Sequence, residues 1–363
     1  MPQVTDLFIV AGEPSGDLQG AKLIDELLKQ QPSLKIGAVA GPRMRAYPIE
    51  THFQMENLQV MGFIDVVLAL PKIARQFFAI RNRILSLNPK RVVCIDYPGF
   101  NLRLEQSLRE KGYAGKLIHY ICPTVWAWGK KRIGIMAKNL DLLLTILPFE
   151  PSCFSKTKLP VRYVGHPLTQ DIPPTAPRQL LGLFPGSRRT EVERNFPLQL
   201  KTARRLAALD PSLELAVSIA SPSLEPLIRR LGPDLRSMDN YQLMASCRLA
   251  LATSGTAALE LALRRVPAVV NFAIKPLDLF LAQKIFRIDL PYYSLPNIIA
   301  SEAVYPELFG PNLTEAALFR WAHQLWFDET ARAACQTRCQ TVRSLLGSGQ
   351  ASQTAASAIL SLK

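Results

Sequence analysis

A carboxylate, Asp96, closes the apolar run Val92–Ile95 in the segment Ile95-Asp96-Tyr97-Pro98-Gly99-Phe100-Asn101. At the exit of a buried strand and ahead of a helix, it can take a proton from an attacking hydroxyl if burial raises its basicity. Capping the helix near Asn101, or bracing the loop, would use the position equally well. A second acid-bearing turn, Ala11-Gly12-Glu13-Pro14-Ser15-Gly16-Asp17, follows the apolar run Leu7-Phe8-Ile9-Val10. The expected strand order puts Glu13, Ser15, Gly16 and Asp17 on the rim that carries Asp96 and Asn101. Two carboxylates there would repel a diphosphate, so this rim suits an acceptor. Asp17 equally suits the first turn of a helix.

The second half offers the complementary chemistry. Leu183-Phe184-Pro185-Gly186-Ser187-Arg188 runs from a strand into a tight turn, and a helix starts near Thr190 and Glu191. Gly186 lets the backbone approach a ligand, and the Arg188 guanidinium can fork onto a diphosphate. Ser254-Gly255-Thr256-Ala257 repeats the pattern after Leu249–Thr253, with Glu260 on the first helical turn. Amides and hydroxyls at such a helix start receive phosphate, and a carboxylate one turn on can bridge the paired hydroxyls of a ribose. Plain capping by Ser254 or Thr256 and a solvated Arg188 are the simpler alternatives. Asp-x-Asp does not occur, so no carboxylate pair is expected to hold a metal against the diphosphate. Nor is there a Gly-x-x-x-x-Gly-Lys loop for triphosphate hydrolysis.

Other segments are more ambiguous. His119 to Trp128 is aromatic and is followed by Lys130, Lys131 and Arg132, which suits a sugar or acyl site or, more simply, a loop packed on the core. His166 reads as a hinge or supporting residue rather than a base. Ile73, Phe77, Ile80 and Ile84 share a helical face edged by Lys72, Arg75, Arg81 and Arg83. Such a face can lie on an anionic membrane or pack on a core.

The elements that must position these residues follow from periodicity. Short apolar runs (Leu7–Ala11, Ile36–Ala40, Val92–Ile95, Leu117–Ile121, Leu142–Ile146, Tyr163–Val164) alternate with amphipathic stretches (Leu18–Gln30, Ile73–Leu87, Leu102–Lys111). That alternation predicts parallel strands with crossover helices. A connector from Pro167 to Pro177 interrupts it. The pattern resumes with strands at Leu181–Phe184, Leu215–Ile219, Leu249–Thr253 and Ala268–Phe272, and helices at Glu191–Leu209, Ala257–Arg264 and Leu277–Phe286. The expected class is α/β, two Rossmann-like domains facing across a cleft with a helical C-terminus. Their bounds are 1–170 and 178–345, with a helical tail over 346–363. Such a pair suits sugar transfer from a nucleotide donor, and each sheet binds at the carboxyl ends of its strands.

Composition agrees. The chain has 363 residues, 48% hydrophobic and 20% charged, which argues for ordered domains. A net charge of +14 favours anionic partners, but the basic residues form no aromatic-interleaved run, so nucleic acid is not an expected partner. The six cysteines form no Cys-x-x-Cys pair and the four histidines no metal-ligand spacing. Without a signal peptide or membrane span in view, the expected compartment is cytoplasmic.

In order along the chain, the motif at Ala11–Asp17, Gly41-Pro42-x-Met44, Ile95–Asn101, Pro123-Thr124-Val125-Trp126-Ala127-Trp128, Pro185-Gly186-Ser187-Arg188, Ser254-Gly255-Thr256-Ala257 and Ser294-Leu295-Pro296-Asn297 resembles the lipid-A-disaccharide synthase family. The resemblance implies a metal-independent, inverting GT-B glycosyltransferase that needs no cofactor. It implies transfer from UDP-2,3-diacylglucosamine to 2,3-diacylglucosamine 1-phosphate, giving a β-1,6-linked disaccharide and UDP. By motif position, Asp96 matches the proposed base and Arg188 the residue suggested to hold the diphosphate. Gly186, Ser187, Ser254, Gly255, Thr256, Ala257 and Glu260 match the UDP site, with Asn297 at its edge. Acylated sugars, the anionic inner-membrane surface and a second copy exchanging C-terminal segments are the implied partners. Two positions depart from the family pattern: Ala300-Ser301 stands where Ala-Gly is usual, and Phe309-Gly310 where a Gln follows Pro-Glu-Leu. A different lipid glycosyltransferase or a UDP-sugar 2-epimerase is the rival reading.

Overall fold

In a computed structural model, described over residues 5–58, 63–127, 129–170, 172, 180–274, 290–347 and 349–362, the chain divides into two units. The first comprises Met1–Gln170 with Ser348–Lys363, and the second Asp171–Gly347.

The first unit is built on strands β1 (Leu7–Ala11), β2 (Ile36–Ala40), β3 (Glu50–Gln54), β4 (Arg91–Ile95), β5 (Lys116–Tyr120), β6 (Leu142–Thr145) and β7 (Val161–Tyr163), with helices α1 (Pro14–Gln30), α2 (Phe63–Leu87), α3 (Pro98–Glu110) and α4 (Lys131–Asn139). All its strand pairs are parallel, in the order β3-β2-β1-β4-β5-β6-β7. Helices cover both faces, which is why the central strands read as continuous apolar runs rather than alternating ones. Leu7, Ile9 and Ala11 of β1 join Leu23, Ile24 and Leu27 of α1 on one side. Phe8 and Val10 join Ile80 and Ile84 of α2 and Leu104 and Leu108 of α3 on the other.

Residues 346–363, read from the sequence as a helical tail, contain a helix over Ala351–Ser361 that packs on α1 within this unit. Its small residues Ala355, Ala356 and Ala358 allow close approach, and Ile359 enters the core. Arg91 fixes its end by donating to the carbonyls of Leu360 and Leu362 at 3.1 and 2.8 Å.

The second unit repeats the plan with β8 (Leu180–Phe184), β9 (Glu214–Ser218), β10 (Arg236–Met238), β11 (Cys247–Thr253), β12 (Ala268–Phe272) and β13 (Glu307–Phe309), in the order β10-β9-β8-β11-β12-β13. Its described helices are α5 (Arg189–Leu209), α6 (Glu225–Leu231), α7 (Asn240–Ser246), α8 (Thr256–Leu263), α9 (Leu295–Ala300), α10 (Glu315–Phe327) and α11 (Glu329–Leu345). The two Rossmann-like sheets and the helical C-terminus are as the sequence predicts. The expected helix at Leu277–Phe286 and most of the Pro167–Pro177 connector lie outside the described residues. In each sheet the strand order reverses beside the first strand, between β1 and β4 and between β8 and β11. In open α/β sheets that reversal opens a ligand crevice at the carboxyl ends.

Candidate active site

At the first reversal, β1 and β4 pair with Ala11 opposite Ile95, so the turns that follow them emerge side by side. One carries Glu13, which accepts a hydrogen bond from Ser15 Oγ at 2.6 Å. The other carries Asp96 and Tyr97, both in the left-handed region with φ of 46° and 49°. Two consecutive non-glycine residues rarely adopt that conformation, and such strain gathers at functional sites. Gly12 leaves room for the Tyr97 ring, into which any Cβ at that position would run. Burial pushes Asp96 above the ordinary carboxylate range and the Glu13 charge adds to it, while His119 opposes the rise. A half-buried carboxylate of raised basicity is suited to accept a proton.

An apolar groove of about 360 Å³ adjoins this turn, formed by Ile73, Phe77 and Phe78 of α2 with Tyr97, Phe100 and Arg103. The amphipathic face of α2 therefore serves two surroundings. Ile80 and Ile84 are fully buried in the core, Ile73 and Phe77 line the groove, and Phe78 is 50% exposed.

At the second reversal lies a cavity of about 140 Å³ lined by Gly186, Ser187, Glu191, Ser218, Asn240, Thr253 and the run Ser254 to Ala257, with Glu260 behind it. Gly186 takes a φ of 119°, and a Cβ there would come within 2.7 Å of the Glu191 carboxylate. Glu191 Oε2 accepts from the amides of Ser187 at 3.0 Å and Arg188 at 3.3 Å, which fixes the turn. Glu260 is 8% exposed, and its Oε2 has no hydrogen-bond partner. Arg264 Nη1 stands 3.8 Å from that oxygen. Burial pushes Glu260 up and Arg264 pulls it back. A buried acceptor left open on a cavity wall calls for a donor such as a ligand hydroxyl.

The structure brings Gly186, Ser187, Ser254, Gly255, Thr256, Ala257 and Glu260 to one cavity, and Glu13, Ser15 and Asp96 to the adjacent turns after β1 and β4. Gly16 is buried on the first turn of α1. It places the others differently. Asp17 is 2% exposed and accepts from the amides of Arg43 and Met44 at 2.9 and 3.1 Å, bracing the Gly41–Met44 turn rather than facing a ligand. Asn101 is fully buried and holds the carbonyls of Ile95 and Asp96. Asn297, 1% exposed, is clamped to the backbone of Tyr305 through both amide atoms, at 2.8 and 2.9 Å. Arg188 does not line the cavity; its exposed guanidinium pairs with Glu191 at 3.0 Å. Trp128 lies outside the described residues, and Trp126 packs edge-on against Phe149. His166 is buried and accepts from the Leu168 amide at 3.2 Å.

The family model for lipid-A-disaccharide synthetase matches residues 7–360. The chain belongs to the lipid-A-disaccharide synthetase family. A relative named lipid-A-disaccharide synthase from Chlamydia trachomatis serovar D is 40% identical over 330 residues, covering 85% of this chain and 54% of that one. The chain thus spans about half the length of the chlamydial relatives. A Geobacter sulfurreducens protein of the same name is 33% identical, with 98% of this chain and 97% of that one covered. Among solved structures, a UDP-GlcNAc 2-epimerase from Neisseria meningitidis bound to UDP-GlcNAc shares the fold, with a TM-score of 0.66 at 11% identity over 98% of this chain and 100% of that one. Fold alone therefore does not separate the family from an epimerase, and its motifs must.

For this member of the family, sequence reasoning passed over Tyr97, Ser218, Asn240 and Thr253, and read Glu191 only as part of a helix start. Ser218 and Thr253 were within reach, because they end β9 and β11, the strands on either side of β8. Asn240 follows a capping aspartate and carried no such signal.

Proposed function

We propose that the chain is a lipid-A-disaccharide synthase, joining UDP-2,3-diacylglucosamine to 2,3-diacylglucosamine 1-phosphate. The observation that carries this is the open, buried Glu260 oxygen on the wall of the cavity at the second reversal, which suits a ribose hydroxyl beneath a diphosphate held by the Ser254–Ala257 turn. The acceptor hydroxyl attacks the anomeric carbon of the donor sugar. Its O–H bond breaks with the proton passing to Asp96, the new C–O bond forms with inversion, and UDP departs with the electron pair of the old bond. Amides at the start of α8, and Arg188 once released from Glu191, offset the charge that develops on the leaving diphosphate. An acyl chain of the acceptor fits the groove of Phe77, Phe78 and Phe100. Among the described residues no helix is long and apolar enough to cross a membrane. Exposed Phe78 beside Arg75 and Arg81 suits peripheral contact with an anionic inner-membrane leaflet from the cytoplasmic side.

Incubation with both acylated sugars and no added metal is expected to yield the disaccharide and UDP by mass spectrometry. Asp96→Asn is expected to abolish turnover. Conversion of a UDP-sugar without acceptor would establish the epimerase reading instead.

A further inference from the structure

Behind Asp96 lies a buried ionisable pair with no part in the chemistry above. His119 on β5 is fully buried, Glu105 on α3 is 1% exposed, and Nδ1 of the imidazole stands 2.7 Å from Oε1 of the carboxylate. β4 and β5 are parallel with Cys94 opposite His119, and just past β4 the Asp96 amide donates to the carbonyl of Tyr120, the neighbour of His119, at 2.9 Å. An ion pair at such depth carries a desolvation penalty that apolar side chains avoid, so packing alone gives little reason for it.

We propose that Glu105 and His119 are positioning residues that hold an imidazolium cation beside Asp96, keeping that carboxylate ionised in spite of Glu13. The inference rests on the reading of Asp96 as the base. Ionising Glu13 and Asp96 together on one half-buried rim is costly, and a fixed cation behind the rim offsets the repulsion. The groups that bear on His119 are Glu105 from α3, Asp96 from the end of β4 and the Ile121 backbone. Burial opposes the imidazolium, and these partners outweigh it and push His119 up. The groups that bear on Asp96 are Glu13, His119 and the Tyr97 backbone. The nearby thiols stay neutral: burial, then Glu105, pushes Cys94 up, and burial, then Glu150, pushes Cys122 up, with Asp96 adding a smaller part.

The test reads charge directly. With four histidines in the chain, ¹⁵N-histidine NMR of the full-length protein resolves each ring. His119 is expected to stay doubly protonated above the ordinary 6.5, and Asp96→Asn to lower its midpoint. A midpoint at or below 6.5, or one unmoved by Asp96→Asn, overturns the proposal. In kinetics, His119→Gln and Glu105→Gln are each expected to raise the acidic limb of kcat/KM by about one pH unit. The double variant should move it no further, because the two residues act as one unit. A fall in kcat with the limb in place means a purely structural pair and also overturns it. Should these variants fail to fold, the NMR titration of wild type and Asp96→Asn still decides. An active Asp96→Asn enzyme that keeps the NMR coupling would remove the base assignment while leaving the charge pairing standing.

Discussion

Asn101 donates its side-chain amide to the main-chain carbonyl of Asp96 at 2.7 Å and, from the same nitrogen, to Ile95 at 3.1 Å. The first turn of α3 thereby holds the left-handed turn that presents Asp96, a conformation that costs on the order of 1–3 kcal/mol per residue. Asn101→Ala leaves two carbonyls short of a donor and lets the turn relax. The expected loss is about 1–3 kcal/mol of stability and about 10- to 100-fold in kcat, with UDP affinity unchanged. Denaturant unfolding and steady-state kinetics measure both. An unchanged kcat in the folded variant would show that the turn does not set the position of the base.

Glu260→Gln keeps the size of the side chain and removes the charged acceptor. A hydrogen bond to a charged group is worth about 1.5–3 kcal/mol, so UDP affinity by calorimetry is expected to fall by about 10- to 100-fold. Stability is expected to fall, because Arg264, 4% exposed and disfavoured by burial, loses the carboxylate that favours its charge. Equal affinity in the variant would confine Glu260 to its contact with Arg264.

Ser301 closes α9 in the left-handed region with φ 53°, and the amide of Glu302 reaches back to the Asn297 carbonyl at 3.3 Å. This is the position where the family resemblance leads one to expect glycine. A glycine there carries no Cβ penalty, so Ser301→Gly is expected to raise stability by about 1 kcal/mol. The thermal midpoint should climb with no change in turnover. A fall would mean that the entropy of the unfolded glycine outweighs the relief of strain.

The parts of this molecule that could be read in advance are those where one physical demand dominates. Central strands buried on both faces must be apolar throughout, and β1, β2 and β12 carry the bounds their sequence predicts. β3, β10 and β13 escaped because they are sheet edges, where exposed or half-buried residues such as Arg236, Glu50 and Glu307 break the apolar run. The turns after β8 and β11 were legible because glycine beside hydroxyl residues at a strand end has few other uses. Polar residues inside the motifs were harder. Asp17, Asn101 and Asn297 have the right chemistry for ligands, yet each is spent on backbone groups that the fold leaves unpaired. Sequence position could not distinguish a buried brace from an exposed ligand, since each of the three sits at the start of a helix, where both roles are served. The Glu105–His119 pair depends on a side chain of α3 reaching one of β5, a tertiary fact that no local pattern encodes.

Two buried groups of the first unit set opposite pH limits on its stability. Burial pushes His166 down to about 4 from an ordinary 6.5. The unfolded chain binds this proton more readily, so stability present above 6.5 is lost as pH falls toward 4. Burial pushes Glu150 up to about 8 from 4.5, against the amides of Leu147 and Ile146 that favour its charge. Here the folded chain holds the proton more tightly, so stability present below 4.5 is lost as pH rises through 8. His166→Asn, which can still accept from the Leu168 amide, should flatten the acidic fall. Glu150→Gln should flatten the alkaline one. Thermal midpoints of the three proteins across that range check both signs. If His166→Asn leaves the acidic slope in place, the imidazole is already protonated in the fold and its burial is offset by a charge; if Glu150→Gln leaves the alkaline slope in place, the carboxylate is already ionised in the fold and the two amides hold it so.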